Sequence, residues 1–167
     1  AYFLGGPEQA VEALNRNLDL QIDDFATFNW KAVVDAVNIL GGVDVELSKA
    51  EFYYINAYIT ETVEATGVGS YQLKQAGLNH LDGVQAVAYA RLRKMDTDFA
   101  RTERQREIID LCFQKLKKSD FAVVNNVMEA VFPQILSSVT IDDIIPAARN
   151  LTKYTIADTM GFPAARS

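Results

Sequence analysis

The sequence contains a single cysteine, a single histidine and four prolines. The lone Cys112 excludes an internal disulfide, and the lone His80 leaves no His and Cys spacing of the kind that holds zinc. No run of about 18 apolar residues occurs, so no segment is expected to span a membrane. A glycine-rich phosphate loop and a nucleophilic serine in a recognisable turn are also missing, which argues against P-loop proteins and serine hydrolases.

The composition is that of a globular protein. The 167 residues are 49% hydrophobic and 23% charged, which predicts one domain over residues 1–167 with its own core. The net charge of −6 argues against a nucleic-acid-binding protein. Because the chain opens at Ala1 without a start methionine or a basic leader, we expect it to be a piece of a longer protein.

Helices alternate with a few short strands along the chain. Hydrophobic spacing predicts helices at 7–18, 30–40, 82–90, 99–118 and 121–136, the last bent or ended by Pro133, and strands at 25–30 and 43–47. A capping box is expected at Thr140–Asp143. This order predicts an α/β fold, an α-β-α sandwich with a central mixed sheet and a long arginine-bearing helix.

The aromatic segment 48–70 has no clean hydrophobic period. It fits a helix or insertion packed on the core, or else a wall for a long hydrocarbon ligand.

Arginines gather in one part of this acidic chain. Six of the sixteen basic residues lie in the sixteen positions from Arg91 to Arg106, against Asp96, Asp98 and Glu103. That window therefore has a net charge of +3 (6 − 3), and the rest of the chain carries −9 (−6 − 3). Guanidinium groups hold phosphate well because each presents several donors and a charge that does not titrate away.

The helical period predicts which face of the long helix these arginines lie on. Tracing the apolar stripe of the long helix back from Ile108 gives Gln105 and Arg101, with Arg104 adjacent. We therefore expect these polar side chains on the inward face, where a buried arginine needs an anion from the protein or from a ligand.

Arg91 and Arg93 are two residues apart, so in an extended segment both point to one side, towards the start of the long helix. The amides and dipole of that helix terminus would add to the attraction for phosphate. The alternative is a solvated basic face with local ion pairs to Asp96, Asp98 and Glu103.

Asp98 has two interpretations of similar weight. It stands where a helix N-cap would, and it could instead orient Arg101 or Arg93 or help to deprotonate an acceptor hydroxyl. His80 is expected to have a surface or structural role, and Cys112 to be a small core residue. No metal ligands are predicted within the chain.

Two runs carry a family resemblance. The run from His80 to Arg93, H-L-D-G-V-Q-A-V-A-Y-A-R-L-R, is followed by D-F-A-R-T-E-R-Q from Asp98 to Gln105. These runs resemble the signature of the LytR-CpsA-Psr family, L-D-G-x-x-A-L-x-Y-x-R-x-R and then D-x-x-R-x-x-R-Q. Segments 1–8 and 40–45 are also similar to family segments, so the resemblance covers most of the chain.

The resemblance implies a function. Family members transfer a glycopolymer, of the teichoic acid or capsule type, from a polyprenyl pyrophosphate carrier to peptidoglycan. They work on the outer face of the bacterial cytoplasmic membrane, held by an N-terminal transmembrane helix. The prenyl tail would lie in an apolar tunnel between sheet and helices. By resemblance, Asp98 and Arg101 would be catalytic, and the pyrophosphate would be bound by Arg91, Arg93, Arg101, Arg104 and Gln105.

The resemblance also implies what this chain does not contain. Mg²⁺ is expected for the complete family domain, but its aspartate ligands and an S-x-P-R-D segment belong upstream of the part that Ala1 resembles. Asn38 stands where many members have aspartate. We therefore expect the C-terminal portion of a domain, inactive alone, with exposed apolar surface open to self-association.

Two other functions remain open from the sequence. The chain could be a polyprenyl-phosphate-binding module without turnover, or a transcriptional regulator or attenuator of cell-envelope genes. The acidic charge balance and the lack of a helix-turn-helix signature oppose the regulator.

Overall fold

A computed structural model describes residues 1–94 and 97–157 of the chain. Within these ranges the helices are α1 (Tyr2–Leu18), α2 (Trp30–Ile39), α3 (Lys49–Thr66), α4 (Gly83–Arg91), α5 (Asp98–Lys118), α6 (Phe121–Val131) and α7 (Ile141–Arg149). The strands are β1 (Ala26–Phe28), β2 (Val43–Leu47), β3 (Gly77–Leu81) and β4 (Ile135–Ser137), and short 3-10 helices cover Phe132–Gln134 and Leu151–Lys153. The predicted α/β class is confirmed.

The strands pair differently from the prediction. β2 pairs antiparallel with β3, with Val43 opposite Leu81, and β1 pairs antiparallel with β4. The described residues thus contain two separate two-stranded antiparallel sheets and no central mixed sheet. The expectation of a central mixed sheet is thus corrected, because the sequence did not reveal β3 and β4, the return strands of these two antiparallel pairs.

The core lies between the β2–β3 sheet and the helices α2, α3 and α4. β2 alternates as predicted, with Val43, Val45 and Leu47 buried and the residues between them exposed. Segment 48–70 contains the regular helix α3, which starts at a capping box formed by Ser48 and Glu51. Its face packs into this core through Ile55, Tyr58, Ile59 and Thr62, so the expectation of a core-packed helix is confirmed.

The L-D-G motif has a structural explanation. Leu81 is fully buried at the end of β3, and Asp82 caps α4 by accepting the amide of Gln85 at 2.9 Å. A Cβ atom on Gly83 would stand only 2.1 Å from the carbonyl oxygen of Val34 in α2. Only glycine therefore permits this close approach of α4 to α2.

Asn38 joins the same two helices. Its Oδ1 accepts the backbone N–H of Gly83 at 2.7 Å. An aspartate would offer the same oxygen, so the departure from the family pattern at this position preserves the contact.

The second half of the chain is also mostly helical. α6 ends at Val131, and the 3-10 helix that contains Pro133 leads into β4, so the prediction of helix through Leu136 was too long. Proline removes a donor and ends the α-helical ladder there. The capping box at α7 is confirmed, since the side chain of Thr140 accepts the Asp143 amide and the Asp143 carboxylate accepts the Thr140 amide.

Candidate anion-binding site

The N-cap of α5 lies one residue before the position predicted for it. Thr97 is the N-cap, and its side chain faces the amide of Ala100 at 3.5 Å. Asp98 is the first residue of the helix, so its interpretation as the N-cap was wrong. Its carboxylate is free to bind side chains instead, and as an acid in the first turn it also faces the helix dipole favourably.

Asp98 brings two of the predicted arginines together. Its Oδ1 lies 2.9 Å from Nη2 of Arg93 and 3.3 Å from Nη1 of Arg101. Two positive charges therefore meet one negative charge, which leaves +1 (2 − 1) at the start of a 21-residue helix. The orienting role of Asp98 expected from the sequence agrees with this geometry, and so does the alternative expectation of a local ion pair. Asp96, a third acid of the cluster, lies outside the described residues.

The two arginines are open to solvent to different degrees. The side chain of Arg93 is 60% exposed and that of Arg101 is 27% exposed. Within the described residues, Nε of Arg101 is buried and has no hydrogen-bond partner. A buried donor without a hydrogen-bond partner, next to the exposed guanidinium of Arg93, favours the binding of an anion, because the anion would supply the missing acceptor.

Arg91 lies apart from this pair. It is the last residue of α4, its Nη1 donates to Thr62 Oγ1 at 2.7 Å, and its guanidinium stacks 3.7 Å from the ring centroid of Trp30. The expectation that Arg91 and Arg93 point to one side of an extended segment was therefore wrong. Because α4 continues through Arg91 and the chain leaves the helix at Leu92, one side chain faces α2 and α3 and the other faces α5.

Arg104 and Gln105 also differ from the phasing prediction. Arg104 is 5% exposed, and its Nη2 donates to the carbonyl of Leu92 at 2.7 Å. Gln105 is exposed, and its Nε2 lies 3.4 Å from the carbonyl of Ala90. The inward stripe runs from Ile108 back by four residues to Arg104, and Gln105 falls outside it, so the inward placement of Gln105 was wrong.

Sequence reasoning missed the side chains that hold two of the arginines, among them Glu61, whose Oε2 lies 3.4 Å from Nη2 of Arg91. Trp30 and Thr62 hold Arg91, and Glu51 lies 3.4 Å from Arg104. The capping signature formed by Ser48 and Glu51 was a readable signal for the start of α3. The residues around Trp30 and Thr62 form no sequence pattern that predicts their contact with Arg91, which is distant in sequence.

The remaining predicted residues have ordinary surroundings. His80 is exposed on β3, where its Nδ1 lies 2.7 Å from Asp44 across the sheet. Burial raises the pKa of the Cys112 thiol, although the charge of Lys115 acts in the opposite direction. Among the described residues, no three His, Cys, Asp or Glu side chains are grouped so that they could hold a metal ion.

An apolar cavity of about 460 Å³ lies farther along α5, between that helix and α6, α7 and the segment after them. Its wall includes Phe113, Leu116, Val124, Met128 and Ile144. α3 does not contribute to it, so the aromatic segment 48–70 does not form this wall. None of the helices in the described ranges is both long and apolar enough to cross a membrane.

Comparison with known proteins decides the family. The model of the LytR_cpsA_psr family matches residues 1–160. The chain belongs to the LytR-CpsA-Psr family. The resemblance of the two arginine-containing runs to the family signature is thereby confirmed, and in the structure those runs form α4 and the first turns of α5.

Similar proteins include named transferases of this family. The polyisoprenyl-teichoic acid–peptidoglycan teichoic acid transferase TagV of Bacillus subtilis is 27% identical over 146 residues, 86% of this chain and 35% of TagV. TagU of Bacillus cereus, with the same activity in its name, is 29% identical over 153 residues, 90% of this chain and 45% of TagU.

A solved structure of TagT bound to LIIa-WTA has the same fold over most of this chain. The TM-score is 0.68 at 27% identity, and the match covers 91% of this chain and 54% of the TagT chain. The chain thus spans about a third to a half of the length of these relatives.

Proposed function

We propose that this chain contributes the phosphate-binding part of a phosphotransferase. The enzyme would move a glycopolymer, of the teichoic acid or capsule type, from a polyprenyl pyrophosphate carrier to peptidoglycan. The activity named for TagV and TagU and the ligand named for TagT support this proposal. The alternative of a transcriptional regulator has no comparable support in the geometry.

One observation carries the proposal, namely that Arg93 and Arg101 converge on Asp98 at the N-terminus of α5. A diphosphate brings several negatively charged oxygens, which can take up the donors of two guanidinium groups at once. The helix terminus adds oriented amides and a positive dipole end, to which phosphate is attracted.

The predicted residues other than Arg104 have a place in this proposal. Arg93 and Arg101 would contact the pyrophosphate, and Asp98 would hold the two guanidinium groups in position. Gln105 is exposed one turn further along α5, where it could donate to a phosphate oxygen. Arg91 is held apart from the other two arginines by Trp30, Thr62 and Glu61, so it would contact the ligand only where the ligand extends towards α2 and α3. Phosphoryl transfer depends mainly on positioning and on neutralising developing charge, and Arg101 would supply that charge.

The apolar cavity along α5 would receive part of the prenyl tail. Phe113 follows Arg101 by twelve residues, which corresponds to about 18 Å along a helix. A long polyprenyl chain anchored by its head group at Arg101 can cover that distance. The lining is almost wholly apolar, as a hydrocarbon requires.

In the part of the chain that the structure describes, no three acidic side chains are grouped so that they could hold Mg²⁺. The carboxylate of Asp98 is occupied by Arg93 and Arg101. We therefore assign Asp98 the role of holding these two arginines and no role in binding a metal ion. The expected Mg²⁺ requirement of the complete family domain, and its location on the outer face of the bacterial membrane, are retained as proposals that rest on family membership.

Calorimetric titration with farnesyl pyrophosphate and with farnesol tests this function on the chain itself. Binding of the pyrophosphate but not of the alcohol, weakened by high salt, supports a charged head-group site. Equal binding of both compounds, or of neither, overturns it.

A further inference from the structure

Arg104 has a different environment from the other arginines of the cluster. It is 5% exposed, and Arg104 and Ile108 are the buried residues of α5. Its guanidinium lies 5.9 Å from the ring centroid of Tyr89, a residue that is itself 4% exposed. A pyrophosphate on the surface at Asp98 would not reach this group without opening the packing of α4 on α5.

The charge of Arg104 is met by the protein. Its Nη1 lies 3.4 Å from Oε1 of Glu51, whose side chain is only 13% exposed. The other oxygen of Glu51 accepts the amide and the hydroxyl of Ser48, at 2.9 and 2.8 Å, at the start of α3. Glu51 is thus fixed in place, and a buried arginine opposite a fixed carboxylate needs no ligand for its charge.

The other end of the guanidinium holds the backbone that separates Arg91 from Arg93. Nη2 of Arg104 donates to the carbonyl of Leu92 at 2.7 Å, and Leu92 is fully buried. Leu92 is the C-cap of α4 and has a non-helical backbone, so its carbonyl lies outside the helical hydrogen-bond ladder and accepts from Arg104 of α5.

These contacts set the distance between the two halves of the anion site. Arg93 follows Leu92 directly, and Arg101 lies one turn before Arg104 on the same helix. Fixing Leu92 against Arg104 therefore fixes the base of Arg93 relative to Arg101 and Asp98. The residue next to Arg104, Gln105, faces the carbonyl of Ala90 at 3.4 Å and adds a second, weaker tie between the same two segments.

We propose that Arg104 is a positioning residue that never contacts the pyrophosphate: with Glu51 as its counter-charge, it holds Leu92 so that Arg93 stands opposite Arg101. This inference deepens the proposed function and rests on it for its consequence, since the held segment presents a phosphate ligand. It replaces the expectation from the family signature that Arg104 binds the pyrophosphate directly.

The test needs a variant that keeps the fold. Replacing Arg104 alone would leave the charge of Glu51 buried and unmatched, which destabilises a protein strongly. The double variant Arg104→Met with Glu51→Gln removes both charges together, and glutamine at this position keeps the capping box of α3. Circular dichroism and the urea midpoint of this double variant establish that it is folded.

The first readout uses no ligand. The amide of Leu92 donates to the carbonyl of Tyr89 at 3.2 Å, so its hydrogen exchange reports how firmly this turn is held. In the double variant, exchange of this amide should accelerate about tenfold relative to that of Val45 in β2. Unchanged exchange at Leu92 overturns the positioning role.

The second readout is the binding of farnesyl pyrophosphate measured by calorimetry. Arg93→Ala should weaken binding about tenfold in the native chain but less than about threefold in the double variant, because an unheld Arg93 contributes little. If Arg93→Ala weakens binding by the same factor in the double variant as in the native chain, Arg104 is not a positioning residue. The same conclusion follows if the double variant binds farnesyl pyrophosphate as tightly as the native chain does. If exchange at Leu92 is faster in the double variant but the native chain binds no farnesyl pyrophosphate, the positioning role is supported and the proposed function is overturned.

Discussion

The guanidinium of Arg91 stacks on the indole of Trp30, with its central carbon 3.7 Å from the ring centroid. The same guanidinium donates to the hydroxyl of the fully buried Thr62 at 2.7 Å. Arg91 is therefore held from α2 and α3 before any ligand arrives, while Arg93 is held from α5. Holding the donors in place beforehand lowers the entropy lost on binding an anion.

Trp30 is the only tryptophan of the chain, so its fluorescence reports on Arg91. Arg91→Ala uncovers one face of the indole, which is already 46% exposed, and should shift its emission to longer wavelength. Arg16→Ala is the matched control, because Arg16 pairs with Glu12 on the exposed surface of α1. An emission spectrum of Arg91→Ala that coincides with that of the native chain contradicts the stacking.

Gly83→Ala should destabilise the chain, because the added Cβ meets the carbonyl oxygen of Val34 at 2.1 Å and the two helices must separate. Overpacking of this kind costs about 1–3 kcal/mol, measured as the free energy of unfolding in urea. Gly69→Ala is the control, because its Cβ would have no atom within 4 Å. Equal stability of the two variants would show that α4 and α2 are less closely packed than described.

Stability should depend on the ionisation of Asp35 in acid. Burial raises the pKa of this carboxyl, but hydrogen bonds from Lys31 and Gln134 and the charge of Lys31 outweigh burial, so the pKa lies below the ordinary value of 3.8. A lowered pKa means stabilisation that is present above pH 3.8 and is lost as the pH falls through the lowered value.

Asp35→Asn should therefore reduce the free energy of unfolding at neutral pH by less than about 1 kcal/mol, since the pair lies near the surface. The difference from the native chain should vanish near pH 2. Urea unfolding at both pH values measures this difference in the free energy of unfolding. As a control, Asp35→Asn should destabilise a chain that already carries Lys31→Met by less than it destabilises the native chain. A difference that persists unchanged into acid would assign the effect to packing instead.

Filling the apolar cavity should lower the affinity for carriers with a long prenyl tail and leave the affinity for the pyrophosphate head group unchanged. Ala147 lies on α7 at the wall of the cavity and is exposed, so Ala147→Phe should fold normally. Excluding about two methylene groups from the cavity costs about 1.6 kcal/mol, or roughly tenfold in affinity for undecaprenyl phosphate in detergent. Inorganic pyrophosphate should bind as before.

The control for added bulk is Ala122→Phe, at an exposed position of α6 outside the cavity wall. If both phenylalanine variants bind undecaprenyl phosphate equally well, the tail lies elsewhere.

Much of the fold was predictable because its helices carry local signals. The start of α4 is marked by Asp82 and Gly83, and the length of α5 follows from a spaced apolar stripe. β3 was missed because its burial is weak, with Leu78 68% exposed, and because the pairing partner β2 is distant in sequence. Such pairing depends on tertiary context, which a single sequence does not carry.

The candidate site was predictable in its residue types more than in its geometry. The arginine cluster stood out by charge, but the partner of each arginine did not. One step of three residues leads back from Ile108 to Gln105 and one step of four leads to Arg104, and only helix packing decides which of the two side chains is buried. Glu51 and Trp30 lie more than fifty residues away from their arginines, so no local pattern links them.

The most direct measurement of the central claim is the affinity of farnesyl pyrophosphate for four forms of the chain: native, Arg93→Ala, Arg101→Ala and Arg16→Ala. Each charged hydrogen bond to the ligand is worth about 1.5–3 kcal/mol, so loss of Arg93 or Arg101 should weaken binding about tenfold or more. Arg16→Ala carries the same change in net charge and should bind like the native chain. If Arg93→Ala and Arg101→Ala bind within twofold of Arg16→Ala, the arginines at Asp98 do not form the pyrophosphate site.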